Sequence, residues 1–301
     1  MSRTSLRDSA VVARFQLARA LRTRSALTLC ALYGLVAGGS AFGFTRILKV
    51  LEEQTAKILR VPVTDRPGAM LDAVKQDPDF QKMMSELIGD PGLLDWAMDL
   101  PFLTVTSFWT GLLTLPFIAA AVGAEAIAPD VRDRSLRFEL LRTGRLEILA
   151  GRFGGQSLLL AVGGLVSVVA VWGVAMTAMV GNPPLRQLTT LLIMGPRLWF
   201  WSLPFLGIGL ACSQLTANVN LARVMALGLT AGTWTAFGVI EYWLEREPAL
   251  WMELVRPLLP QAWAWSLWGP GWRWAEPALV LLSLAMVFMV AGYPRFVRRN
   301  L

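Results

Sequence analysis

The sequence predicts an all-α membrane protein: six transmembrane helices, an N-terminal amphipathic interface helix, and a helical extracytoplasmic segment after the first span. Three observations carry this. Of 301 residues, 55% are hydrophobic and only 16% charged, against about 25% charged in a soluble domain. Mean hydropathy is +0.51, and the apolar residues fall in blocks near the ~20 residues that a helix needs to cross a ~30 Å hydrocarbon core. The arginines concentrate on one of the two sides that such spans define. The whole chain, 1–301, is read as one transmembrane domain.

Residues 1–24 carry Arg3, Arg7, Arg14, Arg19, Arg22 and Arg24, and suit a helix with Leu6, Ala10, Ala13, Leu17 and Leu21 on one face. A basic amphipathic helix on the cytoplasmic leaflet follows, drawn to anionic membrane lipids. No cleavage site closely follows the apolar run after it, so Ser25–Phe44, free of charge, is expected to remain as the first span. The extracytoplasmic segment 46–100 shows helical periodicity in Ile47, Leu48, Leu51, Ile58 and Leu59. Asp77-Pro78 and Asp90-Pro91 are turn or helix-start signals, so short helices on the outer ends of the spans are expected.

The second span runs from Pro101 to about Ala128, with Glu125 near its end. A cytoplasmic segment, 129–155, leads to the third, Gln156–Val180. The fourth, around Pro196–Ser213, contains Pro204; Leu221–Ile240 and Pro277–Tyr293 complete the set. Pro116 and Pro204 are expected to kink their helices. Gly34, Gly38, Gly39, Gly43 and Gly163-Gly164 are read as close helix contacts, with a substrate passage as the less favoured reading.

Between the last two spans, 243–275 holds Trp243, Trp251, Trp263, Trp265, Trp268, Trp272 and Trp274. Two readings stand: an interfacial stretch in the outer headgroup region, or an aromatic core packed on its own helices. A carbohydrate-stacking platform is a weaker third. Orientation follows from charge. One side collects the six N-terminal arginines, six more between spans two and three, Arg223, and three in the C-terminal tail: sixteen of 28 basic residues. Positive charge marks the cytoplasmic side. A multi-pass membrane protein with both termini cytoplasmic is expected.

The absences narrow the chemistry. There is no histidine, which removes the usual general base, metal ligand and haem ligand. Cys30 and Cys212 sit in apolar blocks, so neither a disulfide scaffold nor a zinc site is expected. None of Lys49, Lys57, Lys75 and Lys82 follows a glycine, so the phosphate-cradling GxxxxGK[ST] loop is missing. We expect no catalytic, cofactor or metal site, and no ATP hydrolysis by this chain. The net charge of +7 is dispersed through apolar sequence, so nucleic acid is not an expected partner.

The most informative stretch is 125–152. It is charged and helix-prone, with Leu136 and Leu140 four residues apart on one face and Arg132, Arg134 and Arg137 flanking them. A short amphipathic helix held between two spans suits docking into a partner's groove, apolar anchors inside and charges at the rim. Glu125 is read as a structural partner of Arg132 or Arg152 in preference to a functional carboxylate. Arg197 and Arg223, opening spans four and five, are read as snorkelling anchors.

Glu125, Ile127-Ala128, Asp130, Ser135-Leu136, Leu140-Leu141, Arg145 and Gly151-Arg152 together resemble the motif of the ABC-2 type transporter permease family. Arg142-Thr143-Gly144 stands where that family has Ser-Arg-Pro, and Arg152 where it has Lys. The resemblance implies a permease that pairs with a second permease chain, identical or related. It also implies a separate pair of ABC ATPase subunits, holding ATP and Mg, and outward transport. The docking residues would be Asp130, Arg132, Arg134, Leu136, Arg137, Leu140, Leu141 and Arg145, with Glu125 and Arg152 as structural charges. An alternative is mechanical transmission to an extracytoplasmic protein partner at 46–100. An ion-coupled carrier is disfavoured by the lack of mid-span acids and internal repeats.

Overall fold

A computed structural model of the chain describes residues 3–59, 67–68, 77–79, 81–82, 85, 91–179 and 183–298. Among these there is no strand, and six helices are long and apolar enough to cross a membrane. The all-α, six-span architecture expected from the sequence is present.

Helix α1 (Arg3–Arg22) stops at a turn where Arg24 takes a left-handed φ of 59°. α2 (Ser25–Leu59) then runs unbroken for 35 residues, about 50 Å at 1.5 Å per residue. The first span and the start of 46–100 are thus one rod. No Gly or Pro falls between Phe44 and Leu59 to end it. Asp77 behaves as a turn starter, its carboxylate accepting from the Asp79 amide at 2.8 Å. Asp90 and most of 60–90 lie outside the described residues, and so does the expectation of short helices there. α3 (Pro91–Asp99) closes the segment.

α4 (Phe102–Ala124) is followed by two single-turn helices, α5 (Ala128–Arg132) and α6 (Leu136–Leu140). α7 (Arg145–Ala178) and α8 (Pro184–Leu215) come next. α8 begins twelve residues before the expected Pro196, because apolarity marks what lies in lipid and not where a helix ends. α9 (Val219–Leu244) is capped by Asn218, whose side chain accepts from the Asn220 and Leu221 amides. α10 (Leu250–Val255), short 3₁₀ turns, α11 (Ala275–Ala291) and α12 (Tyr293–Arg298) complete the chain.

α8 is the central element, packed against α4, α7, α9 and α11. Glycine allows this. A Cβ at Gly209 would lie 2.2 Å from the Ala120 carbonyl oxygen of α4, and one at Gly207 would lie 2.5 Å from that of Ala285 in α11. Small residues let backbones touch where no hydrophobic force operates between helices.

The packed-core reading of 243–275 is realised in part. Leu267 and Trp268 are buried, and the Trp268 ring meets Phe108 edge-on at 4.5 Å. Trp251 and Trp272 stay exposed. The segment is a plug with a tryptophan rim. It also corrects the reading of Arg197, which is buried and does not snorkel. Its Nη1 donates to the Leu267 carbonyl at 3.0 Å, and its guanidinium lies over Trp96 and Trp274. Aromatic faces and a free carbonyl hold the cation inside.

Candidate functional site

At the end of the bundle that carries both termini, the chain between α4 and α7 folds into a compact ledge. It starts where α4 ends. The Ser213 hydroxyl of α8 accepts from the Ile127 and Ala128 amides, each at 2.8 Å. Those are orphan donors at the start of α5, so a serine on another helix caps it. Arg134, at φ 57°, turns the chain sharply into α6.

Beneath the ledge lies an ion-pair lattice. Asp130 is buried, and its carboxylate accepts from Arg152 at 2.6 Å, Arg19 at 2.7 Å and Ser135 at 2.9 Å. Arg152 has no exposed side-chain surface. Its second nitrogen donates to Glu139 at 2.7 Å, and the first also reaches the Ala126 carbonyl. One guanidinium on α7 therefore ties the end of α4, α5 and α6 together, and Arg19 adds α1. A planar fork with several donors suits this better than an ammonium would.

α1 packs on α7 where Gly151 and Gly155 leave room. A Cβ at Gly151 would lie 2.6 Å from the Ser9 carbonyl oxygen. The face of α1 buried on α7 is accordingly Val12, Gln16 and Ala20, beside the Leu6–Leu21 row expected to face the leaflet. The side chain of Leu6 lies outside the described residues. Val11, Phe15 and Leu21 remain exposed, which suits contact with lipid.

The expected docking residues divide into two groups. Leu136 is fully buried and Leu140 packs half-buried against the same core. Their shared face points into the protein, so the expected apolar seam is an internal one. Asp130 is spent in the lattice. Arg145 caps α12, donating to the Phe296 and Val297 carbonyls, the latter at 2.7 Å. Arg132, Arg134, Arg137 and Leu141 do face outward. The residue that sequence reasoning missed is Phe138, 74% exposed, beside Leu141 at 82%. They are three apart and so share the outer face of the turn. A large apolar pair opposite the Leu136/Leu140 face was the available signal.

Glu125 pairs with Arg223 at 2.6 Å, and not with Arg132 or Arg152. Arg132 instead meets its neighbour Asp133. Arg223, expected to snorkel, thus links α9 to the end of α4.

The family model for the ABC-2 family transporter protein matches residues 10–301. The chain belongs to the ABC-2 transporter family. No curated protein matches the sequence. As an ABC-2 protein it is a multi-pass membrane component of an ABC transporter, a class that works with an ABC ATPase subunit. Among the described residues no three His, Cys, Asp or Glu side chains gather as a metal site.

Proposed function

We propose that this chain is the permease of an ATP-driven exporter in the bacterial cytoplasmic membrane, and that the ledge is its coupling surface. The ledge and both termini face the cytoplasm. Phe138 and Leu141 enter a groove on the ATPase subunit, and Arg132, Arg134 and Arg137 form the rim. ATP and Mg belong to that subunit. A second permease chain, the same or related, completes the unit.

The observation that supports this best is the exposed Phe138/Leu141 pair on a turn braced by the Arg152–Asp130–Glu139 lattice. Exposed aromatic and aliphatic anchors ringed by arginine have the composition of an interface core. The bracing converts a push on α6 into movement of α7 and α1 together. A flexible loop would absorb that push. Transport is favoured over mechanical transmission by the cavity among α2, α4, α7 and α8, which a purely mechanical relay would not need.

The test is co-purification of the ATPase subunit, with its stimulated hydrolysis, for Leu141→Asp and Phe138→Asp. Both side chains are exposed, so the fold should survive. A carboxylate pressed into an apolar groove loses about 3 kcal/mol, or more than about a hundredfold in affinity. If both variants keep full co-purification and full hydrolysis, the ledge is not the coupling surface. Leu140→Asp would strike the core and report on folding instead.

A further inference from the structure

The outward face of α1 carries Arg7, Val11, Arg14, Phe15, Leu21 and Arg22, all exposed. Steps of three, four and seven residues bring them to one side of a helix, opposite the Val12, Gln16 and Ala20 side that lies on α7. Every cation of α1 is an arginine, and its one acid, Asp8, is half-buried.

The depth of this face follows from its neighbours. Leu17, on the flank of α1, packs with Ala20, Ala26 and Leu159. Ala26 and Leu159 stand in the first turns of the expected spans Ser25–Phe44 and Gln156–Val180. α1 therefore lies at the level where those spans enter the hydrocarbon. Water is a poor neighbour for Phe15 and Leu21, and hydrocarbon is a poor one for three guanidinium groups. The headgroup layer suits both, with the apolar side chains at the acyl boundary and the arginines among the phosphates. A guanidinium fork pairs bidentately with phosphate oxygens. A second copy of this chain fits the face less well, because acids at the same end are already engaged. Glu125 is held by Arg223, Asp133 by Arg132, and Asp130 and Glu139 by Arg152.

The flank of the same helix touches the ledge. Arg19 donates to both carboxylate oxygens of Asp130, at 2.7 and 2.9 Å. Asp130 in turn accepts from Ser135, at the start of α6, and from Arg152. Whatever fixes α1 in place therefore fixes one of the cations that hold the ledge.

We propose that anionic phospholipid of the adjoining leaflet regulates the ledge: phosphate headgroups bind Arg7, Arg14 and Arg22, and the seated α1 keeps α5 and α6 ordered through the Arg19–Asp130 bond. Calling that leaflet cytoplasmic, and the ordered ledge competent for coupling, rests on the reading above; the lipid response does not.

The test uses the full chain in nanodiscs of phosphatidylcholine alone or mixed with phosphatidylglycerol, with no ATPase subunit present. Two quantities are read: hydrogen exchange of the 130–141 amides, and the lipid retained on the chain in native mass spectrometry. A ligand shifts an equilibrium only by its differential affinity for the two states. Wild type should retain phosphatidylglycerol in preference, and exchange at 130–141 should slow at least about fivefold, the worth of one arginine at an anionic surface. Arg7→Gln, Arg14→Gln and Arg22→Gln combined leave the side facing α7 intact, and should abolish both the preference and the slowing. Arg19→Gln should keep the preference and lose the slowing, a split that a merely structural α1 would not produce.

Exchange indifferent to phosphatidylglycerol in wild type, or still slowed by it in either variant, would overturn the inference. Equal retention of the two lipids would do the same and give the face to acyl chains or a second permease chain. The lipid response together with a Leu141→Asp variant that still couples would sink the docking surface and leave this site standing. Intact docking with an indifferent ledge would do the reverse.

Discussion

At the residue scale, Arg152 is the position on which most depends. Its guanidinium is removed from water and serves the Ala126 carbonyl, Asp130 and Glu139 at once. Arg152→Met would leave Asp130 buried with Arg19 as its remaining cation and release α6. Breaking a buried pair from one side costs about 3–5 kcal/mol, and a clear fall in thermal midpoint in detergent is expected. Arg152→Lys should recover only part of it, because one ammonium cannot span three acceptors in different directions. Arg132→Ala, removing an exposed contact to the adjacent Asp133, should leave the midpoint unchanged. Equal midpoints for Arg152→Met and wild type would show that the lattice does not brace the ledge. The sequence identified Asp130 and Arg152 as charges of this region. It did not pair them, since the partners are 22 residues apart and Arg19 is 111 residues from Asp130.

Helices in this protein meet through glycine, and the glycines are not equivalent. Gly209→Ala sets a Cβ against the backbone of Ala120, and backbone cannot swing aside as a side-chain tip can. Forcing α4 and α8 apart should cost about 1–3 kcal/mol. Gly154→Ala meets nothing within 4 Å and should cost nothing, with a gain of up to about 1 kcal/mol from helix propensity. Thermal midpoints of the two variants in one detergent decide this. The opposite order would mean that α4 and α8 do not make this close contact. From sequence, Gly123, Gly154 and Gly209 look alike. Which face each one occupies, and what stands opposite, follows only from how the helices are packed. The same holds for α1, whose buried row was set by Gly151 and Gly155 on its partner and not by its own leucines.

At the scale of the whole molecule, topology and assembly can be checked directly. With Cys30 and Cys212 replaced, Arg134→Cys and Glu247→Cys place single thiols at exposed positions on opposite ends of the bundle. A membrane-impermeant maleimide should label Glu247→Cys in intact cells, and Arg134→Cys only after the membrane is opened. Labelling in the reverse order would put the ledge outside and end the coupling proposal. α2 and α9 bury little of their apolar surface within one chain, 11% and 17% of their most hydropathic windows. In the assembly proposed above, lipid and the second permease cover them. Native mass measurement of the active complex should find two permease chains; full activity from a complex with one would refute the pairing.

The number of spans, the absence of an ATP-binding loop and the place of the ledge between spans two and three were determined by the sequence alone. Each depends on a property that accumulates along the chain: length of apolar run, residue type, order. The inward face of Leu136 and Leu140, the outward face of Phe138 and Leu141, the Glu125–Arg223 pair and the burial of Arg197 were decided by the tertiary structure. A five-residue helix such as α6 has apolar residues on both faces, so its own periodicity cannot choose which face is inside. That choice fell to Arg152, which pulls Glu139 and Asp130 toward α7 and leaves the opposite face of the turn to water or to a partner.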